Sequence, residues 1–184
     1  MDSLELLTDR LRLRTPRIED ADAIQSIAAD PRVALTTASI PHPYPDGGAK
    51  GFILHVQKVA SADRRNLAIV LREDNEVIGM VGYHPDGRES ELAYMVSPNH
   101  RGLGYASEAC RRIIAHIFDV TEAAAVVARA MTDNKASEAV LHKAGLKWQS
   151  EASVELPIRS GIFLTSFWRL ERQHFLRSEG ASLR

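Results

Sequence analysis

The sequence predicts a single α+β domain, with a mixed central sheet of about seven strands flanked by about four helices. Its 184 residues, 45% of them apolar, are enough for one sizeable core and few for two ordinary domains. Three successive segments in the middle of the chain have the composition of antiparallel strands, and from Gly104 onward the apolar spacing becomes that of a helix. We therefore expect one domain over residues 1–184, with its core over about 8–174 and a tail over 175–184 that need not be ordered.

The N-terminal part predicts one strand and two helices. Residues 10–14 alternate charged and apolar side chains, which is the pattern of a strand with one buried face. Acidic residues at 19–22 suit the first turn of a helix, and Asp30–Pro31 ends that helix. Residues 39–49 contain three prolines and two glycines and predict a loop that holds neither regular helix nor central strand. Apolar residues at helical spacing then predict the second helix over 52–59.

The middle of the chain predicts three consecutive antiparallel strands. Residues 66–72 and 76–84 are rich in β-branched and aliphatic side chains, and the polar segment between them predicts a hairpin. Residues 91–97 predict the third strand, which follows a turn at 85–88 that contains Asp-Gly.

The second half predicts two crossover helices and three strands. A helix with one apolar face follows Gly104, and residues 124–131 predict a short apolar strand that is buried on both faces. Residues 136–144 predict a helix closed by the glycine that follows. Residues 146–173 predict two strands that turn at 159–161.

Charge and targeting signals exclude several classes of protein. Lys and Arg number 23 against 24 Asp and Glu, so nucleic acid is not an indicated partner. The first residues are acidic where a secretory signal is basic, and no apolar run approaches the roughly 20 residues that span a bilayer. Cys110 is the only cysteine, and no two of the seven histidines have the spacing of metal ligands on a helix. We expect a cytoplasmic protein with no membrane contact, no disulfide and no metal.

The stretch from Asn99 to Ala109 predicts an anion site, because a strand, a short glycine turn and a helix follow one another there. Gly102 and Gly104 would let the backbone approach a phosphate closely, and Arg101 could add charged hydrogen bonds. The Walker loop is excluded by Tyr-Ala in place of Lys-Ser/Thr after the second glycine, and the dinucleotide fingerprint by a serine in place of its third glycine.

The pattern Arg-x-x-Gly-x-Ala at residues 101–106 resembles the acyl-CoA loop of the GNAT acetyltransferase superfamily. Three further blocks, at residues 8–21, 91–96 and 134–145, resemble its RimJ/RimL-like branch, which acetylates ribosomal protein N-termini. The resemblance implies a GNAT-like fold and acetyl-CoA as the cosubstrate. The residues that it assigns to the cosubstrate are Met95, Val96, Arg101, Gly102, Leu103, Gly104, Tyr105, Ala106 and Asn134. Met95 and Val96 would act through backbone N–H groups that a strand bulge exposes to the acetyl carbonyl.

The same resemblance suggests a proton donor for the departing thiolate. Many relatives place a tyrosine seven residues after the asparagine, where this chain has Leu141. The RimJ/RimL-like branch often carries a serine three residues after it instead, and Ser137 matches that position. Glu91 is the first candidate for the base that deprotonates the amine, and His84 is the second. Tyr94 should lie on the face of the strand opposite Glu91.

Simpler structural roles stay open for these residues. Asn134 could cap a helix, and it could do so while also holding the pantetheine arm. Ser137 could be an exposed helix residue, and Glu91 could only pair with an arginine across the sheet. His84 could be a surface residue at a strand end.

Taken together, these residues predict an acetyl-CoA-dependent N-acetyltransferase that transfers acetyl to a primary amine by direct attack in a ternary complex. The acceptor stays open between a protein N-terminus and a small-molecule amine, with His42, Tyr44 and His84 as candidate acceptor contacts. The proline-rich segment that holds His42 and Tyr44 could equally be a stiff spacer. The alternative function is a sensor that binds acyl-CoA without turnover. A homodimer through the last strand and the region of Trp168 also stays open.

Overall fold

The computed structural model describes residues 4–182, which form one eight-stranded mixed sheet with helices on both faces. The sheet order is β1-β2-β3-β4-β5-β6-β8-β7, and every neighbouring pair is antiparallel except β5 and β6. The strands are β1 (Glu5–Leu7), β2 (Leu11–Arg14), β3 (Arg65–Leu71), β4 (Val77–Asp86), β5 (Glu89–Val96), β6 (Ala125–Met131), β7 (Lys147–Leu156) and β8 (Gly161–Glu171).

Within residues 4–182, six α-helices accompany the sheet: α1 (Ala21–Ala29), α2 (Pro31–Ala34), α3 (Gly48–Lys58), α4 (Tyr105–Val120), α5 (Lys135–Lys143) and α6 (Arg172–Ser182). The larger core cluster joins buried residues of α4 and α5 to one face of the sheet, for example Ile113 and Leu141 to Val126. The smaller cluster joins α1 and α3 to the opposite face, where Ile24 and Ile53 pack with Met80. The periodic apolar faces that predicted these helices are therefore the faces that form the two cores.

The predicted fold class is confirmed, and three elements are additional to the prediction. β1 has only three residues and pairs along β2 at the sheet edge. α2 has four residues, with the Asp30 side chain accepting from the Arg32 N–H at its start. α6 begins at Arg172, where the guanidinium donates to the carbonyls of Phe118, Thr121 and Ala123. The boundaries predicted for the domain core and its tail stay a prediction.

Three local predictions are corrected. The loop predicted over 39–49 ends early, because Gly47 adopts a left-handed conformation and lets α3 begin at Gly48. β6 is not buried on both faces, since Arg129 is exposed. The last strand, β8, lies between β6 and β7, so β7 forms the sheet edge at this end, opposite β1, and the Trp168 side chain is buried. A homodimer stays a prediction, and the edge strand in this region is β7.

A gap between β5 and β6 is the feature of the fold that positions the site. The two strands pair only through Ser90 with Val126 and Glu91 with Val127. Beyond that point β5 continues to pair with β4 up to Val96, while β6 continues to pair with β8. The sheet therefore opens between β5 and β6, and backbone groups on the walls of the gap have no strand partner there.

Neither a membrane span nor a metal cluster is found in the part of the chain that the structure describes. No helix within residues 4–182 is both long and apolar enough to cross a bilayer. Over the same residues, no three or more His, Cys, Asp or Glu side chains group in a way that could hold a metal ion.

Candidate active site

Backbone N–H groups of β5 face the gap. The Ser97 N–H donates to the Ile78 carbonyl of β4 at 2.8 Å. Because successive N–H groups along a strand point to opposite sides, the Tyr94 and Val96 N–H groups face the gap. The Met95 N–H faces β4, so of the two groups predicted to bind the acetyl carbonyl only that of Val96 is directed at the gap.

The glycine turn follows β5 and ends where α4 begins. After a 3₁₀ turn at Pro98–His100, Gly102 and Gly104 have φ values of 78° and 84°, in the left-handed region that favours glycine. Gly104 precedes Tyr105, the first residue of the 16-residue helix α4, and the N–H groups of that first turn lie at the positive end of the helix. The predicted anion site is therefore built as a strand, a turn and a helix start.

Arg10, in the segment between β1 and β2, holds this turn. Its guanidinium donates to the Leu103 carbonyl at 2.9 Å, lies 2.6 Å from the Glu108 carboxylate and stacks on the Tyr105 ring at 4.5 Å. The Glu108 carboxylate also accepts from the Thr8 hydroxyl at 2.6 Å and from the Arg10 N–H at 3.0 Å. We call this set of contacts the Arg10 clamp; it fixes the turn to the chain segment that precedes β2.

Residues 31–37 cross from one side of the gap to the other. Arg101 donates to the Arg32 carbonyl at 2.8 Å, and Asn134 donates to the Thr36 carbonyl at 3.3 Å. Arg159, in the β7–β8 connection, donates to the Leu35 and Thr37 carbonyls. The side chain of Arg101 is thus engaged by this segment, while its backbone belongs to the glycine turn.

Asn134 and Ser137 lie at the start of α5, beside β5. The Asn134 side chain accepts from the Ser137 N–H at 3.1 Å, so it caps α5. The Ser137 hydroxyl lies 2.7 Å from the Tyr94 hydroxyl of β5. Tyr94 packs against the larger core, so Ser137 lies on the α4 and α5 face of the sheet.

Glu91 lies on the opposite face and is held in an ion pair. Arg129 of β6 donates to its carboxylate at 2.7 Å and 2.5 Å, and His84 Nε2 lies 3.3 Å from it. Burial would raise the pKa of Glu91, but hydrogen bonds from His84 and Arg129 and their charges lower it to about 2. A carboxylate of that pKa with both oxygens engaged is a weak base, so this geometry favours the ion-pair interpretation over the base.

The proline-rich loop contributes one buried contact. Tyr44 packs against the smaller core, and its ring would lie 3.2 Å from a Cβ on Gly48. Burial raises the pKa of the Tyr44 hydroxyl. His42 is exposed in the same loop, and no contact among the described residues joins it to the other candidate residues.

A known domain family matches most of the chain. The model of the family described as Acetyltransferase (GNAT) domain matches residues 10–147, from the Arg10 clamp to the start of β7. The chain belongs to the GNAT acetyltransferase family. The predicted membership and the prediction of an acetyltransferase enzyme are confirmed.

Relatives of this GNAT chain agree in sequence and in fold. The uncharacterized N-acetyltransferase p20 of Bacillus licheniformis is 30% identical over 151 residues, which cover 79% of this chain and 83% of the relative. A GNAT-family acetyltransferase structure from Bacillus anthracis has a TM-score of 0.82 at 17% identity, over 92% of this chain and 99% of that one. A structure of RimL, a ribosomal L7/L12 α-N-protein acetyltransferase in complex with coenzyme A, has a TM-score of 0.78 at 13% identity, over 91% and 98%. The similarity of fold to the RimJ/RimL-like branch is therefore confirmed.

Sequence reasoning missed the partners that hold the GNAT site together. Arg10 and Glu108 of the clamp are 98 residues apart in the chain, and Tyr94 and Ser137 are 43 apart. Arg10 stood inside a block that resembles the family, and that resemblance was the available signal for it. Tyr94 and Ser137 stood in two separate blocks, and only the structure shows that their hydroxyls lie within hydrogen-bond distance of each other.

Proposed function

We propose that the chain transfers the acetyl group of acetyl-CoA directly to a primary amine within a ternary complex, with no covalent enzyme intermediate. The gap between β5 and β6 is the observation that carries this proposal, because it connects the two faces of the sheet beside the glycine turn. The Ser137 hydroxyl stands on the α4 and α5 face and Glu91 on the other. An amine can therefore arrive on one face while the thiolate leaves on the opposite face.

Acetyl-CoA supplies the acetyl group as a thioester, and the residues of the turn fit its phosphates. The N–H groups of residues 102–106 lie in the turn and the first residues of α4, at the positive end of that helix, while the Arg101 N–H donates to the Pro98 carbonyl at 3.4 Å. A Cβ at Gly102 would have no heavy atom within 4 Å, so there is open space beside the bare backbone for a ligand. Asn134 would hold the pantetheine arm while it caps α5, and the Val96 N–H would stabilise negative charge on the thioester oxygen.

The amine must lose its proton before or during attack. An α-amino group, with a pKa of about 7.7–8.0, needs less help than a lysine at about 10.4. His84 is the better-placed proton acceptor, because its side chain is 41% exposed on the face that carries Glu91 and its Nε2 lies 3.3 Å from the Glu91 carboxylate. Glu91, held by Arg129, would orient His84 in place of acting as the base itself.

The proposed acceptor is a protein N-terminus or a small-molecule amine. His42, Tyr44 and His84 are the proposed acceptor contacts, and the first two come from the loop that leads into α3. A cytoplasmic location stays a prediction.

The test is free-thiol release from acetyl-CoA with a panel of amines, run beside a direct acetyl-CoA binding titration. The panel contains N-terminal peptides, lysine peptides, polyamines and aminoglycosides. Gly104→Ala should weaken acetyl-CoA binding, because φ at this position is 84° and strains any side chain. Gly51→Ala in α3, where a Cβ would meet no atom within 4 Å, is the matched control and should bind normally.

Each outcome of this test decides between functions. Thiol release that depends on one amine class establishes the transferase and names its acceptor. Binding without release for any amine supports the acyl-CoA sensor. Wild-type protein that binds no acetyl-CoA contradicts the assignment of the glycine turn.

A further inference from the structure

The Tyr94 hydroxyl reaches Ser137 from the β5 wall of the gap. Its oxygen lies 2.7 Å from Ser137 Oγ and 3.2 Å from the Ser137 carbonyl oxygen. Tyr94 stands on the strand and Ser137 on the first turn of α5, so this contact joins the two sides of the site. Burial raises the pKa of Tyr94, which keeps the phenol protonated at any pH at which the enzyme would work.

The directions of the two hydroxyl protons decide what Ser137 can do. The phenol has one proton, which it can donate to the Ser137 carbonyl at 3.2 Å or, along the shorter contact of 2.7 Å, to Ser137 Oγ; in that shorter contact either hydroxyl can be the donor. When Tyr94 donates to Ser137 Oγ, the serine proton must point elsewhere, because the serine oxygen already accepts at that site. A serine without this partner could rotate its proton toward backbone carbonyls of its own helix.

We infer that Tyr94 is a positioning residue that aims the Ser137 proton at the sulfur of the departing thiolate. This inference rests on the proposed function. It adds that Tyr94 is the residue that makes Ser137, otherwise an ordinary helix serine, a proton donor. Tyr94 itself keeps its proton throughout and touches neither substrate.

The proton transfers balance while Tyr94 stays neutral. The amine nitrogen forms a bond to the carbonyl carbon, the carbon–sulfur bond breaks, and its electron pair goes to sulfur. Ser137 donates its proton to that sulfur, and the hydrogen bond from Tyr94 stabilises the serine oxygen as it does so. The nitrogen loses one proton to His84, which passes it to solvent, and Ser137 regains one from solvent, so the products are the amide and the free thiol.

The first readout is the binding of free CoA and of desulfo-CoA as a function of pH, which needs no acceptor. A serine proton aimed at sulfur favours the thiolate, whose free pKa is about 8.5, so CoA affinity should rise relative to desulfo-CoA between pH about 7 and about 9. We expect a gain of roughly tenfold in wild-type protein. Tyr94→Phe and Ser137→Ala should each abolish most of this gain.

The second readout is turnover with whichever amine the panel identifies. Tyr94→Phe should lower kcat about tenfold with the KM for acetyl-CoA nearly unchanged. In the Ser137→Ala background the same substitution should lower kcat no further, because the two hydroxyls act as one unit. Tyr83→Phe is the matched control: it removes another tyrosine hydroxyl, which donates to the Ala62 carbonyl at 2.8 Å, and should preserve both readouts.

The outcomes separate this inference from the proposed function. A Tyr94→Phe protein that keeps the pH-dependent preference for CoA overturns the positioning role, and so does a wild-type protein whose CoA preference is flat with pH. Additive losses of kcat in the double variant overturn it as well. Wild-type protein that binds neither CoA nor desulfo-CoA contradicts the proposed function at the glycine turn.

Discussion

Asp20 is a buried carboxylate that joins β2 to α1. It accepts from both terminal nitrogens of Arg14 at 2.7 Å and 2.8 Å and from the Arg17 N–H at 2.7 Å. Burial would raise the pKa of Asp20, but the hydrogen bonds from Arg14 and Arg17 outweigh it, so the pKa is lowered. Every oxygen of this carboxylate is engaged, and the pair can stay ionised inside the protein for that reason.

Substituting Asp20 should show how much the Asp20–Arg14 ion pair contributes to the stability of the fold. Asp20→Asn leaves the Arg14 guanidinium buried without its counter-charge, so the free energy of unfolding should fall by about 3 kcal/mol. Urea unfolding followed by circular dichroism measures this difference. Glu5→Gln is the control, since the Glu5–Arg12 pair is 3.8 Å long and the Glu5 side chain is 47% exposed, and it should change stability by less than about 0.5 kcal/mol.

The pH dependence of the same variant has a definite sign. Because the pKa of Asp20 is lowered on folding, its contribution is complete above the ordinary value of about 3.9 and is lost as the pH falls toward the folded-state pKa. The difference in unfolding free energy between wild type and Asp20→Asn should therefore shrink below pH ~4. A difference that stays constant down to the lowest accessible pH would contradict the lowered pKa.

At the scale of elements, the Arg10 clamp ties the start of α4 to the segment before β2. The Arg10 guanidinium contacts the Leu103 carbonyl in the turn, and the Tyr105 ring and the Glu108 carboxylate in the first turn of α4. The N–H groups at that helix start form the proposed phosphate site. The clamp therefore orders the turn before any ligand arrives, which lowers the entropy cost of binding.

Removing the clamp should weaken cosubstrate binding without changing the chemistry. We expect Arg10→Ala to raise the KM and Kd for acetyl-CoA by roughly five- to tenfold with little change in kcat. Arg12→Ala is the control, since Arg12 lies two residues further along in β2 and pairs with Glu5, and it should bind acetyl-CoA as wild type does. Steady-state kinetics with calorimetric binding checks the split, and a fall in kcat alone would count against a role in binding.

At the scale of the whole molecule, the sequence was sufficient to predict the elements that depend on a local pattern of residues. The alternation in 10–14 and the glycines at 102 and 104 each led to an element that the structure contains. The start of α3 was missed, because a glycine-rich segment predicts a loop. The structure shows that Gly47, in a left-handed conformation, caps the helix there. Short elements such as α2 were missed because four residues carry no period.

The pairing of side chains across strands could not be read from the sequence. Whether Glu91 serves as a base or an ion-pair partner depends on which residue of β6 lies beside it, and that residue follows from the parallel register of β5 and β6. The meeting of Tyr94 with Ser137 likewise depends on how α5 packs against β5. Strand order and helix packing are properties of the complete core, and they set these distances.

The segment over residues 31–37 shows how the whole molecule closes the site. Its carbonyls are held by Arg101 from the glycine turn, by Asn134 from the start of α5 and by Arg159 from the β7–β8 connection. These three residues come from separate parts of the chain, and they meet only because the segment crosses the gap. We expect the segment to act as one wall of the acceptor entrance, held in place by hydrogen bonds to its main-chain oxygens and by the buried side chains of Val33 and Ala34.

Weakening one of these anchors should therefore loosen the segment and impair the acceptor more than the cosubstrate. Arg159→Gln should speed amide hydrogen exchange within 31–37 and raise the KM for the amine about threefold or more, with the Kd for acetyl-CoA nearly unchanged. Arg112→Gln is the control, since Arg112 donates to the Leu7 carbonyl at 3.2 Å, well away from this segment. Exchange in 31–37 that is identical in wild type and Arg159→Gln would show that Arg101 and Asn134 hold the segment without Arg159, and the acceptor entrance would then be formed independently of the β7–β8 connection.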